Sequence, residues 1–212
     1  KASLVSNLMS LGLYTGMCGD GANDSGALKA GHIGVSLSDS EASIAAPFTY
    51  QRPNISCVPT LLSEGRSSLM TSFQLFKYMA MYSMIQFTAV IMLYFKGSVL
   101  GNWEYLYQDM FIVFPLTVAI GGTRSTPRLS VKRPSGNLLS MVNIANVFGH
   151  MIICLCFQII VFTASQTQSD YYPYGDDPNF DHGSRTYEST SVYYYSNFQF
   201  ITMAILFARG AP

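Results

Sequence analysis

The run Met17-Cys18-Gly19-Asp20-Gly21-Ala22-Asn23-Asp24-Ser25-Gly26-Ala27-Leu28-Lys29 carries the densest chemistry in this chain, with three glycines and two carboxylates in thirteen positions. Those residue types suit phosphoryl chemistry, which is mainly positioning plus neutralisation of developing charge. Magnesium prefers oxygen ligands and keeps several waters, so one or two carboxylates beside a phosphate suffice to hold it. Asp20, at the end of a strand, is well placed to be one of them. Gly19 and Gly21 let backbone come close to a phosphate, and a helix opening near Asp24 offers it free N–H groups. Asn23 and Asp24 can fix the loop or hold the metal's water shell, while Lys1 and Lys29 are candidate counter-charges. A bare Gly-Asp-Gly could be only a turn, and the longer string is far more specific.

A second set of candidates lies among apolar residues. Asp109 is the only acidic residue placed well inside an apolar span. Ionisable residues in such surroundings are rare and mark function by default. The structural alternative is an interfacial Asp at a helix start, because Trp103, Tyr105 and Tyr107 form an aromatic belt just before it. Tyr82 and Gln86, at i and i+4, share one helix face. They read either as ordinary helix–helix hydrogen bonding or as parts of a cation site. In the second case Asp109 supplies charge, Gln86 accepts ammonium hydrogen bonds and Tyr82 offers a ring face. His150, with Asn143, Asn146 and Gln158, reads as packed and hydrogen-bonded instead.

The elements that must position these residues fall into two parts. Residues 1–62 read as α/β. Leu4, Val5, Leu8 and Leu11 recur at helical spacing before Gly12. Strands are expected over 13–18, 32–37 and 48–50, with a helix over 25–30. That order is a piece of a parallel, Rossmann-like sheet, since three short strands cannot close a doubly wound core. Pro53 and Pro59 mark the exit from this part, and a helical pattern continues from Leu61.

Only 11% of the 212 residues are charged, 12 basic against 12 acidic, and their distribution is uneven. Residues 78–95, 135–169 and 189–208 hold no Asp, Glu, Lys or Arg. Uncharged runs of about 18 residues or more are candidates to cross a hydrocarbon core. Four spans are expected, near 63–95, 105–122, 138–165 and 192–208, the second broken by Asp109 and Pro115. The loop 123–136 holds Arg124, Arg128, Lys132 and Arg133 with no acid, the mark of a cytosolic loop. The loop 166–188 holds Asp170, Asp176, Asp177, Asp181 and Glu188 against Arg185, and reads as the opposite side. Residues 1–62 are then cytosolic, and the sequons at Asn23 and Asn54 are expected to stay unglycosylated. The four cysteines show no disulfide or CxxC spacing. The start at Lys1 suggests an excised or incomplete chain. A phosphate-and-magnesium loop beside membrane helices suggests an ion-motive or solute-motive ATPase rather than a soluble phosphatase.

After Gly19-Asp20-Gly21-Ala22-Asn23-Asp24 come Ala27-Leu28-Lys29, Gly34-Val35-Ser36-Leu37 and Glu64-Gly65-Arg66, in that order. The string resembles the hinge motif of the P-type ATPases, pumps of the haloacid-dehalogenase superfamily. Cys18, where many members have Thr, is similar to the type 5 branch. Ser38-Asp39-Ser40-Glu41 through Thr49, and Phe76-Lys77-Tyr78-Met79-Ala80, resemble its B subgroup, the endolysosomal polyamine exporters, more than the A subgroup of helix dislocases.

The resemblance implies that residues 1–62 are the C-terminal part of a Rossmann-like phosphorylation domain, and that residues 63–212 are stalk and membrane helices five to eight. It implies ATP as substrate and Mg2+ as cofactor, with Asp20 and Asp24 at the metal. Lys1 falls at the phosphate-binding lysine, and Asn23 completes the catalytic set. Tyr82, Gln86 and Asp109 match a groove for spermine or spermidine. It further implies a bilayer-embedded, monomeric pump of late endosomes or lysosomes, with no nucleic-acid partner. The Asp-Lys-Thr-Gly-Thr motif that becomes phosphorylated is not in these residues, so the chain alone is expected to be inactive. Two other readings stay open: a pump for a metal cation or a transmembrane peptide helix, and a truncated, non-catalytic membrane protein.

Overall fold

The computed structural model describes residues 1–37, 46–52, 54–126, 129, 131, 136–171 and 186–208. Expectations resting on 38–45, Pro53, Arg128, Lys132, Arg133, Asp176, Asp177, Asp181 and Arg185 lie outside these. The chain divides into two compact units, Lys1–Gly65 and Arg66–Pro212.

The first unit is built on a small parallel sheet in the order β1 (Gly16–Gly19), β2 (Ile33–Ser36), β3 (Phe48–Thr49). Gly16 pairs with Ile33 and Gly19 with Ser36, while Val35 pairs with Phe48. Helix α1 (Ala2–Ser10) buries only Val5. It stops where Gly12 takes φ +76°. Gly12 N–H then donates to the Met9 carbonyl and Leu13 N–H to that of Leu8, the two bonds of a glycine-closed helix end. Helix α2 (Ser25–Ala30) crosses from β1 to β2 and drives Ala27 and Leu28 into the core. This close crossing needs Gly34: a Cβ there would stand 2.7 Å from the Leu28 carbonyl oxygen. Strand β2 sits within its expected range, while β1 starts three residues later than expected and runs one residue further, to Gly19. Ile33 and Phe48 remain exposed, as a sheet this small cannot cover both faces.

The second unit is mainly helical. Helix α3 (Cys57–Tyr94) begins earlier than expected. Pro59 lies in its first turn, where a missing N–H has no helical partner to lose, so it does not mark an exit. Thr71, Gln74, Tyr78, Met81, Ile85, Ala89 and Leu93 form its buried stripe. After Gly97, α4 (Asn102–Tyr107), a π-helical segment (Gln108–Val113) and α5 (Phe114–Gly121) run on without a gap. The expected break at Asp109 and Pro115 is therefore a widened turn. Pro115 has no N–H for the Phe111 carbonyl and its ring crowds that oxygen; an extra residue in the turn relieves both. Helix α6 (Met141–Gln166) starts at the Ser140 cap, whose Oγ accepts from Asn143 N–H. Helix α7 (Tyr187–Phe207) starts five residues before the expected point, because Thr186 and Ser189 cap each other's backbone.

Two clusters hold these helices together. Tyr78, Met81, Ile85, Val113, Ile120, Cys154, Phe200 and Met203 form one. Ala89, Leu93, Leu100, Phe162 and Val192 form the other. The outward faces are also apolar, with Phe87, Ile152, Phe157 and Ile160 exposed. Among the described residues, α3 and α6 are long and apolar enough to cross a membrane. Their 38 and 26 residues span about 57 Å and 39 Å at ~1.5 Å per residue, against a hydrocarbon core of ~30 Å.

Gly34→Ala is expected to destabilise the protein by about 1–3 kcal/mol, the usual cost of overpacking. Gly21→Ala, where a Cβ meets nothing within 4 Å, is expected to leave the melting temperature unchanged. Thermal denaturation of the two variants checks the contrast.

Candidate functional site

The glycine-carboxylate loop leaves the carboxyl end of β1. Gly19 is the last strand residue and its carbonyl accepts from Leu37 N–H at 2.8 Å. Asp20 follows, exposed. A 3-10 turn, Ala22–Asp24, closes with Asp24 N–H on the Gly21 carbonyl at 3.0 Å and brings Asp24 back under the strand. The fit is tight, since a Cβ on Gly19 would stand 2.7 Å from Asp24 Cβ and Oδ2. Glycine is required here by its neighbour rather than by its backbone angles.

Asp24 is 5% exposed, and its Oδ1 pairs with Lys1 Nζ at 2.7 Å. The bond to Asp24, helped by its charge and by that of Asp20, raises the Lys1 ammonium above its ordinary range. Lys1, Asp20 and Asp24 thus share one end of the sheet, with Asn23 exposed on the turn between. Lys29 lies in the last turn of α2, at the far end from its opening at Ser25, and does not join them.

The donor chemistry of the loop fits magnesium in part. Asp20 offers an exposed hard oxygen ligand, which is what a mostly hydrated Mg2+ takes from protein. Asp24 has one oxygen committed to Lys1. Among the described residues no three His, Cys, Asp or Glu gather closely enough to hold a metal unaided. A partner in longer sequence was not legible: Cys57 lies against Cys18, and burial first, then that thiol, raises the Cys18 thiol above its usual range. Cys18 is thus half-buried beside Cys57.

In the helical unit, Tyr82 Oη donates to Asp109 Oδ1 at 2.6 Å. The Gln86 amide lies against the Tyr82 hydroxyl, so Gln86, Tyr82 and Asp109 form one chain of contacts. The Tyr82 ring packs on Phe200 at 5.3 Å. Asp109 is the second residue of the π-helical segment and stays exposed, and Trp103 and Tyr107 are exposed before it. His150 instead bonds Asn146 O within α6 and packs on Phe207. Sequence reasoning missed Gln108, whose Nε2 donates to Ser196 Oγ and Asn197 Oδ1. A glutamine beside an aspartate carried no signal of its own.

No family model matches the chain. Among curated proteins, all of it aligns with the probable cation-transporting ATPase catp-6 of Caenorhabditis elegans, 44% identical over 215 residues and 17% of that protein. It aligns equally completely with the polyamine-transporting ATPase 13A3 of Homo sapiens, at 38% identity and 19% of its length. The vacuolar cation-transporting ATPase YPK9 of Saccharomyces cerevisiae is 40% identical, with 14% of its length covered. The chain spans about a fifth or less of the curated relatives it matches. Over its whole length it is similar to one segment of these cation-transporting ATPases.

The Lys1–Asp24 pair carries a pH signature with a definite sign. Because folding raises the Lys1 ammonium, the stability it contributes is whole below its ordinary value of 10.5 and is lost as pH rises through the folded value. Lys1→Met is expected to remove that alkaline component and leave the shape of the pH dependence between about 7 and 9 unchanged. Melting temperatures taken from pH 7 to 11.5 on both proteins check it.

Proposed function

We propose that this chain is a segment of an ATP-driven pump that moves polyamines across an endolysosomal membrane toward the cytosol. Its first unit serves an aspartyl-phosphate formed on another part of the same protein. Lys1 and the backbone after Gly19 hold the phosphate, Asp20 is the magnesium ligand, and Asp24 holds Lys1 in place while Asn23 steadies the turn. Magnesium, when bound, neutralises phosphate charge. The homology to cation-transporting ATPases supports this part, and the polyamine cargo is supported by the name of one relative.

Four membrane crossings, α3, 102–121, α6 and α7, are the arrangement we favour. Contacts at the two ends of the bundle support antiparallel neighbours. Lys77 Nζ donates to Asn143 Oδ1 at 2.9 Å near the start of α6. At the opposite end Ser98 and Thr186 share a hydrogen bond, and Tyr171 O–H donates to Glu188. Arg124, after α5, then lies on the Lys77 side, which the positive-inside rule makes cytosolic.

One observation carries the cargo: the 2.6 Å bond between Tyr82 and Asp109. A lone carboxylate with a tyrosine ring and an amide beside it suits an organic ammonium, which needs one counter-charge, hydrogen-bond acceptors and a ring face. A bare metal ion needs several convergent ligands, and the described residues gather no such set. A polyamine brings further ammonium groups, spaced along a chain, for acceptors elsewhere in a groove.

In the complete protein, Asp109→Asn is expected to weaken spermine stimulation of ATPase by ~30-fold or more, the scale of losing one partner of a desolvated charge pair. Phosphorylation by ATP should persist. Stimulation by metal salts in place of spermine and spermidine, or an unchanged response in Asp109→Asn, would overturn the polyamine reading.

A further inference from the structure

Gln108 stands next to Asp109 yet turns away from it. It is 1% exposed, and its Nε2 donates to Ser196 Oγ at 2.8 Å and to Asn197 Oδ1 at 2.9 Å, both on α7. An amide nitrogen has two hydrogens, so these two bonds fix its orientation as well as its position. One turn further along α7, Phe200 packs on the Tyr82 ring. A single helix therefore holds both halves of the Tyr82–Asp109 pair. Through Gln108 it grips the segment that carries the carboxylate, and through Phe200 it grips the ring that donates to it.

The segment so gripped is the π-helical one, which begins at Gln108. A π turn holds an extra residue between hydrogen-bonded partners and is less constrained than the α-helix on either side. Slippage of that turn by part of a residue would rotate Asp109 about the helix axis and separate it from Tyr82. An anchor at the first residue of the turn prevents that slippage. Gln108 is the residue placed to supply it, since Val113, also buried there, is apolar and makes only the non-directional contacts of the core.

We infer that Gln108 is a positioning residue for cation recognition: its double bond to Ser196 and Asn197 sets the rotation of Asp109 and so the affinity for the ammonium it meets. This rests on the reading of Tyr82 and Asp109 as the cargo site. The test uses the complete protein with Gln108→Met, of similar volume and without donors, and Asn197→Leu, which removes one acceptor from the α7 side. Half-saturating spermine, maximal ATPase rate, phosphoenzyme level and melting temperature are measured for each. Gln108→Met is expected to raise half-saturating spermine ~10-fold, within the range that small misplacements cost, with maximal rate and phosphoenzyme within about twofold of the parent. Asn197→Leu should shift it the same way by less, and the two changes together should not add. An unchanged half-saturation in either folded variant overturns the inference, as does a fall in melting temperature and maximal rate together without a shift in half-saturation. If Asp109→Asn also leaves stimulation intact, the cargo site itself is wrong. If Asp109→Asn abolishes it while Gln108→Met is silent, only the positioning role falls.

Discussion

A polar side chain buried among the long helices is costly to leave unpaired, and several here find their partner on a neighbouring helix. That one requirement fixes how the helical unit is put together. Apolar contacts between helices are permissive: a leucine packs almost as well one residue along. Polar contacts are not. Lys77 meets Asn143 near one end; Thr88 donates to the Gln158 side chain, which itself donates to the Ile85 carbonyl. Gln199 donates to the Cys154 carbonyl, and Ser98 meets Thr186 at the far end. The first of these bonds set the register of α3 against α6, and of α6 against α7, while Ser98 ties the turn after α3 to the cap of α7.

Asp109 is where the same requirement becomes productive. Tyr82 supplies one hydrogen bond, but a hydroxyl donates only a single proton and brings no formal charge. A carboxylate among apolar helices therefore keeps a demand for a cation, and the exposure of Asp109 leaves it open to one. The π-helical turn contributes the shape. It lets Pro115 remain in a continuous helix while turning Asp109 and Gln108 to different neighbours. One meets Tyr82 on α3, and the other meets α7. Local strain at the proline is thus absorbed by the turn that presents the charge.

Much of this was legible in the residues, and what was not has physical causes. Periodicity and glycine placement give α1, the β1–α2–β2 unit and the apolar helices. The i, i+4 spacing of Tyr82 and Gln86 puts both on one face, and composition alone makes Asp109 conspicuous. Helix starts were less legible, because caps outrank hydrophobicity there. Thr186 and Ser140 begin α7 and α6, and Pro59 enters α3 instead of ending what precedes it. Contacts across helices leave no trace in local spacing. Gln108 with Asn197 and Cys18 with Cys57 are separated by many residues, so only the fold joins them. The π turn was also hidden, since a proline in a helical pattern signals a break as readily as a widened turn.

The two aspartates of the loop look equivalent in the sequence and are not equivalent in the fold. Asp20 leaves the end of β1 into the open, while Asp24 is folded back beneath Gly19, so close that any side chain on that residue would expel it. A buried carboxylate without a counter-charge would be costly, and Lys1 supplies one from the other side. The motif's fixed spacing thus does two separate jobs. It leaves one carboxylate exposed, and it commits an oxygen of the other to an ammonium. Two carboxylates given different surroundings by one short turn take different roles. The lysine has to be held because its long, flexible stem would otherwise sample solvent. In the reading proposed above, Asp24 acts through Lys1 while Asp20 meets the metal, and the crowding at Gly19 keeps the surroundings of the two carboxylates distinct.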